Sequence, residues 1–343
     1  MDSEKCMPEA SLVEAAQFRL TGMNAPSTYF RWELIQQGGS DREFYRVRHA
    51  DGKSWVVMRY SEAREENLLY VEIARFLSEA HLQVPKVLFH DAELHLVGLE
   101  DLGETSLYTI FNQHQDRAEI ESLYRLALHQ ARLLHQHTTA PVPMMDGFDE
   151  ALYRWERNYF LENLVCRWAG VQLSQEDRAE IEREGEQMAA ELVSIPRCLI
   201  HRDFQSQNLM LHADTIWMID FQGMRLGHAV YDVASLLYDP YIKLDAAQRA
   251  SLLNWYASAT TKDPEKFEHQ FHRAAIQRLM QALGAYGFLG LVKGKGHFLQ
   301  YIPQGLKNLS HALECVSGMI KTKKLLHQIQ VETPVSFCDI AVG

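Results

Sequence analysis

The hydrophobic pattern of this 343-residue chain changes character once, at about Gly103. Before that point apolar residues come in short runs bounded by turn residues. Residues 31–36 and 43–48 have the alternation of strands, and Ser54 to Tyr60 is rich in β-formers. Asp51-Gly52 between the last two is a hairpin turn pair. Residues 62–80 then read as a helix whose apolar face is Leu68, Leu69, Ile73, Phe76 and Leu77. Val84-Pro85 lies beyond its end, where the proline turns the chain away from helix. Two further strands follow, near 86–90 and 94–99. After Gly103, helical spacing dominates 117–137, 151–168 and 175–193. It resumes from about Val230 to Ile320, interrupted by a loop with apolar flanks at Leu199–Leu211 and a strand at Thr215–Ile219. This order predicts an α+β chain of two lobes with a cleft between them: a small, antiparallel, β-rich lobe of five strands reaching about residue 101, and a large helical lobe. The expected division is an N-terminal extension over 1–30, the β-rich lobe over 31–103, the helical lobe over 104–330 and a tail over 331–343.

Charge and cysteine usage narrow the class of partner. The formal net charge is −11, from 34 basic and 45 acidic residues. A chain this acidic is repelled by nucleic acid and anionic membrane, so neither is an expected partner. Lys321, Lys323 and Lys324 read as a solvated helix end. The five cysteines, Cys6, Cys166, Cys198, Cys315 and Cys338, form no CxxC pair. Reduced thiols in a cytoplasmic protein fit that scatter better than disulfides or a zinc site. The opening Met1-Asp2-Ser3-Glu4-Lys5 is not a signal peptide, and no apolar run approaches the roughly 18 residues of a membrane span. Oligomeric state leaves no mark.

The residues richest in chemistry are His201-Arg202-Asp203-Phe204-Gln205-Ser206-Gln207-Asn208, with Asp220-Phe221-Gln222 at the end of the next strand. As turn residues and a strand-end cap, Asp203, Asn208 and Asp220 would need no function. Taken together, the H-x-D-x-x-x-x-N spacing and the following aspartate resemble the catalytic and metal-binding loops of the protein-kinase-like fold. The resemblance implies ATP and Mg²⁺ as cofactors, Asp203 as the base that accepts a hydroxyl proton, and Asn208 and Asp220 as hard oxygen ligands of the metal. It makes His201 a support of the loop backbone, and Asp232, in Tyr231-Asp232-Val233-Ala234-Ser235, a brace of the same loop. A helix-first-turn acid describes Asp232 equally well.

Upstream, Gly38-Gly39-Ser40-Asp41-Arg42 lies between the first two strands. Glycines there can let backbone N–H groups approach phosphate, and Arg42 can reach it, or the segment is an ordinary hairpin turn. A protein kinase carries a phosphate-pairing lysine on its third strand. Here that strand offers Met58 and Arg59 on opposite faces, with Lys53 at the wrong end. Glu65, Glu66 and Glu72 are the candidates for its helix partner. Leu99-Glu100-Asp101-Leu102-Gly103 resembles the hinge, where the backbone of Glu100 and Leu102 would bond adenine.

Motif order over roughly 35–320 is similar to that of the aminoglycoside phosphotransferase and choline kinase superfamily, and most of all to the bacterial anomeric kinases of N-acetylmuramate and N-acetylglucosamine. The matching pieces are Tyr45-Arg46-Val47, Val84-Pro85-Lys86-Val87-Leu88, the hinge, both loops, the Asp232 segment, Gln277-Arg278 and Leu283-Gly284-Ala285-Tyr286-Gly287 with Gly294-Lys295-Gly296. Methionine in place of the lysine is familiar in that group, whereas Gly223 departs from it. The resemblance implies phosphorylation of a small sugar or other alcohol, the anomeric hydroxyl of an N-acetylated amino sugar first, in cell-wall recycling. An amino alcohol or aminoglycoside acceptor and a non-catalytic nucleotide-binding module are the competing readings. Glu156, in Tyr153-Arg154-Trp155-Glu156, is the expected substrate contact, although Trp155 and Tyr159 at i, i+4 also fit a helix core.

Overall fold

The computed structural model describes residues 9–22, 29–35, 42–113 and 116–332. They fall into two compact units.

The first unit comprises Met1–Thr105, Pro141–Met145 and Met210–Gly223. Its sheet has β1 (Phe30–Ile35), β2 (Glu43–His49), β3 (Ser54–Arg59), β4 (Val87–Asp91) and β5 (Leu96–Glu100), in the order β1-β2-β3-β5-β4. Every neighbouring pair is antiparallel. The five strands and the antiparallel pattern are those the alternation predicts. Helix α1 (Ala10–Thr21) buries Leu12, Val13, Ala16 and Gln17. Its Leu12 and Ala16 join Phe30, Val47, Val57 and Leu96 in one apolar cluster, edged by Trp32, Trp55 and Phe89. Helix α2 (Glu65–Glu79) buries Ile73 and Leu77 of the expected face together with Asn67, Tyr70, Val71 and Ala74, while Leu68 is exposed. The buried Asn67 has a polar role: its side-chain amide donates to the Ser61 carbonyl at 2.8 Å, which fixes the first turn.

The second unit comprises Ser106–Ala140, Asp146–Leu209 and Met224–Gly343. It holds α3 (Leu107–Gln113), α4 (Arg117–Leu134), α5 (Glu150–Phe160), α6 (Gln175–Val193), α7 (Ala229–Leu237), α8 (Ala246–Thr260), α9 (Pro264–Leu291), α10 (Ile302–Glu314) and α11 (Ile320–Glu332). Starts are capped as sequence physics requires: Asp149 accepts from the Leu152 N–H, and Asp245 forms a capping box with Gln248. Helix α5 runs on into a π-helical stretch, Leu161–Trp168. The 28-residue α9 is the axis of this unit. It packs backbone to backbone against that stretch through Gly287, where a Cβ would stand 2.5 Å from the Asn163 carbonyl oxygen.

Four short strands flank the His201–Asn208 and Asp220–Gln222 segments along the chain. Strands β6 (Cys198–Ile200) and β9 (Arg225–Gly227) pair antiparallel, and all three β6 residues are buried. Strands β7 (Leu209–His212) and β8 (Thr215–Met218) form a two-stranded ribbon.

Candidate active site

Asp203 lies just after β6, and its position is fixed by what holds the backbone before it. The carboxylate of Asp232, fully buried in the first turn of α7, accepts the backbone N–H of His201 at 2.7 Å and of Arg202 at 2.8 Å. A third donor is His135, the C-cap of α4, whose Nε2 is 3.1 Å away and whose Nδ1 is 2.6 Å from the Tyr256 hydroxyl. Arg202 adopts φ 75°, a left-handed conformation that an L-residue keeps only when its surroundings impose it. The His201 ring is buried edge-on against Phe204 at 5.8 Å. On the other side of the loop, buried Asp239 accepts the Ser206 N–H at 2.8 Å and its hydroxyl at 2.6 Å. The loop is thus gripped by two buried aspartates.

The Asp203 carboxylate itself keeps about a third of its surface, 32%, exposed. Arg278 of α9 approaches it at 3.4 Å and also donates to Gln205 at 3.1 Å and to Ser235 at 3.0 Å. Burial alone would raise the Asp203 carboxyl. The charges of Arg202, Arg278, His201 and Arg225 outweigh it and hold the group below the ordinary carboxylate value. The side-chain amide nitrogen of Asn208 donates to the Asp203 carbonyl at 2.9 Å, which directs the amide oxygen elsewhere.

Glu156 is not a surface contact. It is fully buried, with Tyr231 donating to one oxygen at 3.1 Å and Gln277 to the other at 2.9 Å. Burial raises its carboxyl, against the opposing pull of Gln277, Arg202, Tyr231 and Arg278. A carboxylate with both oxygens engaged and no accessible surface supports α5, α7 and α9 from within. The sequence expectation of a sugar contact therefore moves off this residue. Trp155, by contrast, is 52% exposed and stacks on Tyr159 at 5.0 Å.

The first unit carries Asp220. It sits after β8 with φ 65°, the second left-handed non-glycine residue in the two loops. Its Oδ1 accepts Arg42 Nη2 at 2.5 Å and Gln222 Nε2 at 3.1 Å. Phe221 is buried against Tyr70 of α2, ring to ring at 4.9 Å, and so anchors the turn. Gly38, Gly39 and Ser40 lie outside the described residues. Met58 has no exposed surface and pairs across the sheet with Phe44 and Val97. Arg59 faces solvent beside Glu43 at 3.6 Å. Glu65 and Glu72 are exposed and Glu66 stands near Arg64, so no carboxylate of α2 is poised for a cation on β3.

At the end of β5, the Glu100 N–H donates to the Lys86 carbonyl at 3.0 Å. The Leu102 N–H donates to no group among the described residues. The segment is held by Arg46, a residue whose role the sequence left unassigned. Its Nε bonds buried Asp101 at 2.9 Å, Nη2 donates to the Gly103 carbonyl at 2.8 Å, and Nη1 pairs with Glu104. Asp101 is lowered overall: burial raises it, and the Gly103 N–H, Arg46 and Ser54 lower it by more. Arg278, His135 and Asp239 were likewise missed as site residues. Arg278 is a polar residue within α9, His135 caps the end of α4 and Asp239 follows α7, and spacing alone cannot assign such residues to a loop.

Asp220, a carboxylate in a constrained turn of the first unit, and Asn208, an oriented amide of the second, are each oxygen donors of the kind a hard divalent cation takes. Residues 31–269, well over half of the chain, match the phosphotransferase enzyme family. The N-acetylmuramate/N-acetylglucosamine kinase of Pseudomonas aeruginosa is 28% identical over 318 residues, covering 90% of this chain and 85% of that one. The enzyme of the same name from Neisseria meningitidis is 27% identical over 276 residues, 78% and 81% of the two chains. Among solved structures, a choline kinase of Cryptosporidium parvum superposes with a TM-score of 0.61 at 14% identity, over 96% of this chain and 99% of that one. An ADP-bound aminoglycoside phosphotransferase gives 0.59 at 16% identity, over 89% and 99%. The chain belongs to the phosphotransferase enzyme family, has its kinase-like fold, and is a small-molecule kinase.

Proposed function

We propose that this kinase transfers the γ-phosphoryl group of ATP to the anomeric hydroxyl of an N-acetylated amino sugar, as in the recycling of cell-wall fragments. The observation that carries the choice of acceptor is the charge around Asp203. Arg202, Arg278 and Arg225 all act on that carboxylate. A neutral sugar, or one bearing a carboxylate as N-acetylmuramate does, tolerates such a setting, whereas a polycationic aminoglycoside or a choline-like amine is repelled by it. The names of the sequence relatives support the same substrate class.

In this reading Asp203 accepts the hydroxyl proton as the sugar oxygen bonds to the γ-phosphorus and the bond to the β,γ-bridging oxygen breaks, releasing ADP. The anomeric hydroxyl is more acidic than an ordinary alcohol, so a carboxylate kept ionised by arginines is an adequate base. Arg278 keeps that base charged and aimed, and Asp232 holds the backbone that presents it. Asn208 and Asp220 are the residues that would hold Mg²⁺, which when bound would neutralise charge on the phosphates. The backbone of Glu100 and Leu102 receives adenine, with the uncommitted Leu102 N–H as donor. We place the enzyme in the cytoplasm, where ATP and recycled sugars meet. Among the described residues no helix is long and apolar enough to cross a membrane.

The test is a panel of N-acetylmuramate, N-acetylglucosamine, glucose, choline, ethanolamine and gentamicin with MgATP, read as ADP release, with phosphorus NMR of the product. A sugar 1-phosphate from an N-acetyl sugar is the expected result. A 6-phosphate, or turnover confined to the amines, overturns it.

A further inference from the structure

Arg42, immediately before β2, is a buried cation most of whose donors have no partner among the described residues. The residue is 3% exposed. Only Nη2 has an acceptor, the Asp220 carboxylate at 2.5 Å, while Nε and Nη1 are buried with no hydrogen-bond partner among the described residues. Its guanidinium carbon lies 5.8 Å from the Phe44 ring centre, which blocks one side. Buried guanidinium N–H groups are costly to leave unmade, and a fold retains them where something outside the chain completes them. The strand that could have supplied another cation does not. Met58 is buried and uncharged, Arg59 is turned to solvent beside Glu43, and Lys53 is 71% exposed beside Asp51.

We propose that Arg42 is the phosphate-binding cation of this enzyme, taking the part that the third strand leaves unfilled. The Nε–H and Nη1–H groups lie on different edges of the planar guanidinium, so each can donate to a phosphate oxygen from its own side, in directions fixed by the plane. Nη2 meanwhile neutralises Asp220 until a divalent cation claims that carboxylate. Arg42 and the metal therefore compete for Asp220 when nucleotide is absent and cooperate when it is present, because the displaced guanidinium turns wholly to phosphate. This rests on the reading of the chain as an ATP-using kinase with Asp220 as metal ligand.

The test is titration calorimetry of ADP and of adenosine, each in EDTA and in Mg²⁺, on the full chain and on Arg42→Met and Arg42→Lys. Methionine keeps the buried volume and removes every donor. Wild type is expected to bind ADP in EDTA. Arg42→Met should lose about ten- to a hundredfold in ADP affinity there, the worth of charge-assisted bonds to phosphate, while adenosine affinity is unchanged. Arg42→Lys should recover part of the loss. Equal ADP affinity in wild type and Arg42→Met overturns the inference and leaves the kinase reading intact. A parallel loss for adenosine makes Arg42 a purely structural residue and also overturns it. Failure of the wild type to bind ADP under either condition refutes the kinase reading and the inference with it.

Discussion

Replacing Arg46 by alanine should destabilise the β-rich unit through one identifiable carboxylate. Arg46 and Asp101 keep only 7% and 5% of their side-chain surfaces exposed, at a separation of 2.9 Å. Removing one member of a buried pair costs about 3–5 kcal/mol, because the other charge stays behind without its partner. Two donors remain for Asp101, the Gly103 N–H at 3.0 Å and the Ser54 side chain. The expected loss at pH 7 is therefore near the lower end, about 3 kcal/mol. Urea denaturation followed by tryptophan fluorescence reads it, since Trp32 and Trp55 border the core of this unit. Asp101→Asn should be milder, and the Arg46→Met/Asp101→Asn pair should lose less than the two single changes combined. The pH dependence adds a sign. The folded-state value of Asp101 is depressed, so its contribution is present above the unfolded carboxylate value near 4 and is lost as pH falls through the folded one. The gap between wild type and Arg46→Ala should accordingly narrow in acid. A loss under about 1 kcal/mol at pH 7, or strict additivity in the pair, would refute the assignment of this energy to the buried ion pair.

Three further outcomes follow from the helical unit. Arg278→Ala removes a cation that keeps Asp203 ionised, so the acid limb of kcat/KM should move to higher pH, whereas Asp203→Ala should cut turnover roughly a hundredfold or more and spare ADP binding. An unmoved limb, or wild-type turnover in Asp203→Ala, contradicts those roles. Gly287→Ala places a methyl 2.5 Å from the Asn163 carbonyl oxygen, and the overpacking should cost about 1–3 kcal/mol; an unchanged melting temperature would show that α9 shifts there freely.

The parts of the fold legible in the sequence were those specified locally. The β2–β3 hairpin is written in Asp51-Gly52: Gly52 has φ 91° and Asp51 accepts the Lys53 N–H at 3.0 Å. The His201–Asn208 and Asp220–Gln222 segments stand out because chemically capable residue types recur there at a set spacing. What escaped has either weak local signal or distant partners. Helix α1 has no side-chain N-cap and buries a glutamine, so neither its start nor its stripe stands out. Strands β6 and β9 are three residues each, too short for any period to register. The inward face of α2 departs from its apolar pattern only at the first turn, where Asn67, a polar residue, is buried while Leu68 is not. The supports of the site are long-range pairs: Arg46 and Asp101 are 55 positions apart, and Arg278 and Asp203 are 75 apart. No local pattern encodes such a meeting.

Met58 on β3 has a practical consequence. A nucleotide with an acylating group on its terminal phosphate marks enzymes by transferring that group to an amine held beside it. Here the strand presents a buried thioether, and Arg42 carries a guanidinium rather than an amine. The described lysines of the β-rich unit, Lys53 and Lys86, are both exposed. Surveys that count active kinases by lysine labelling would pass over this chain, and its silence in them would report the chemistry of one strand position rather than the state of the enzyme.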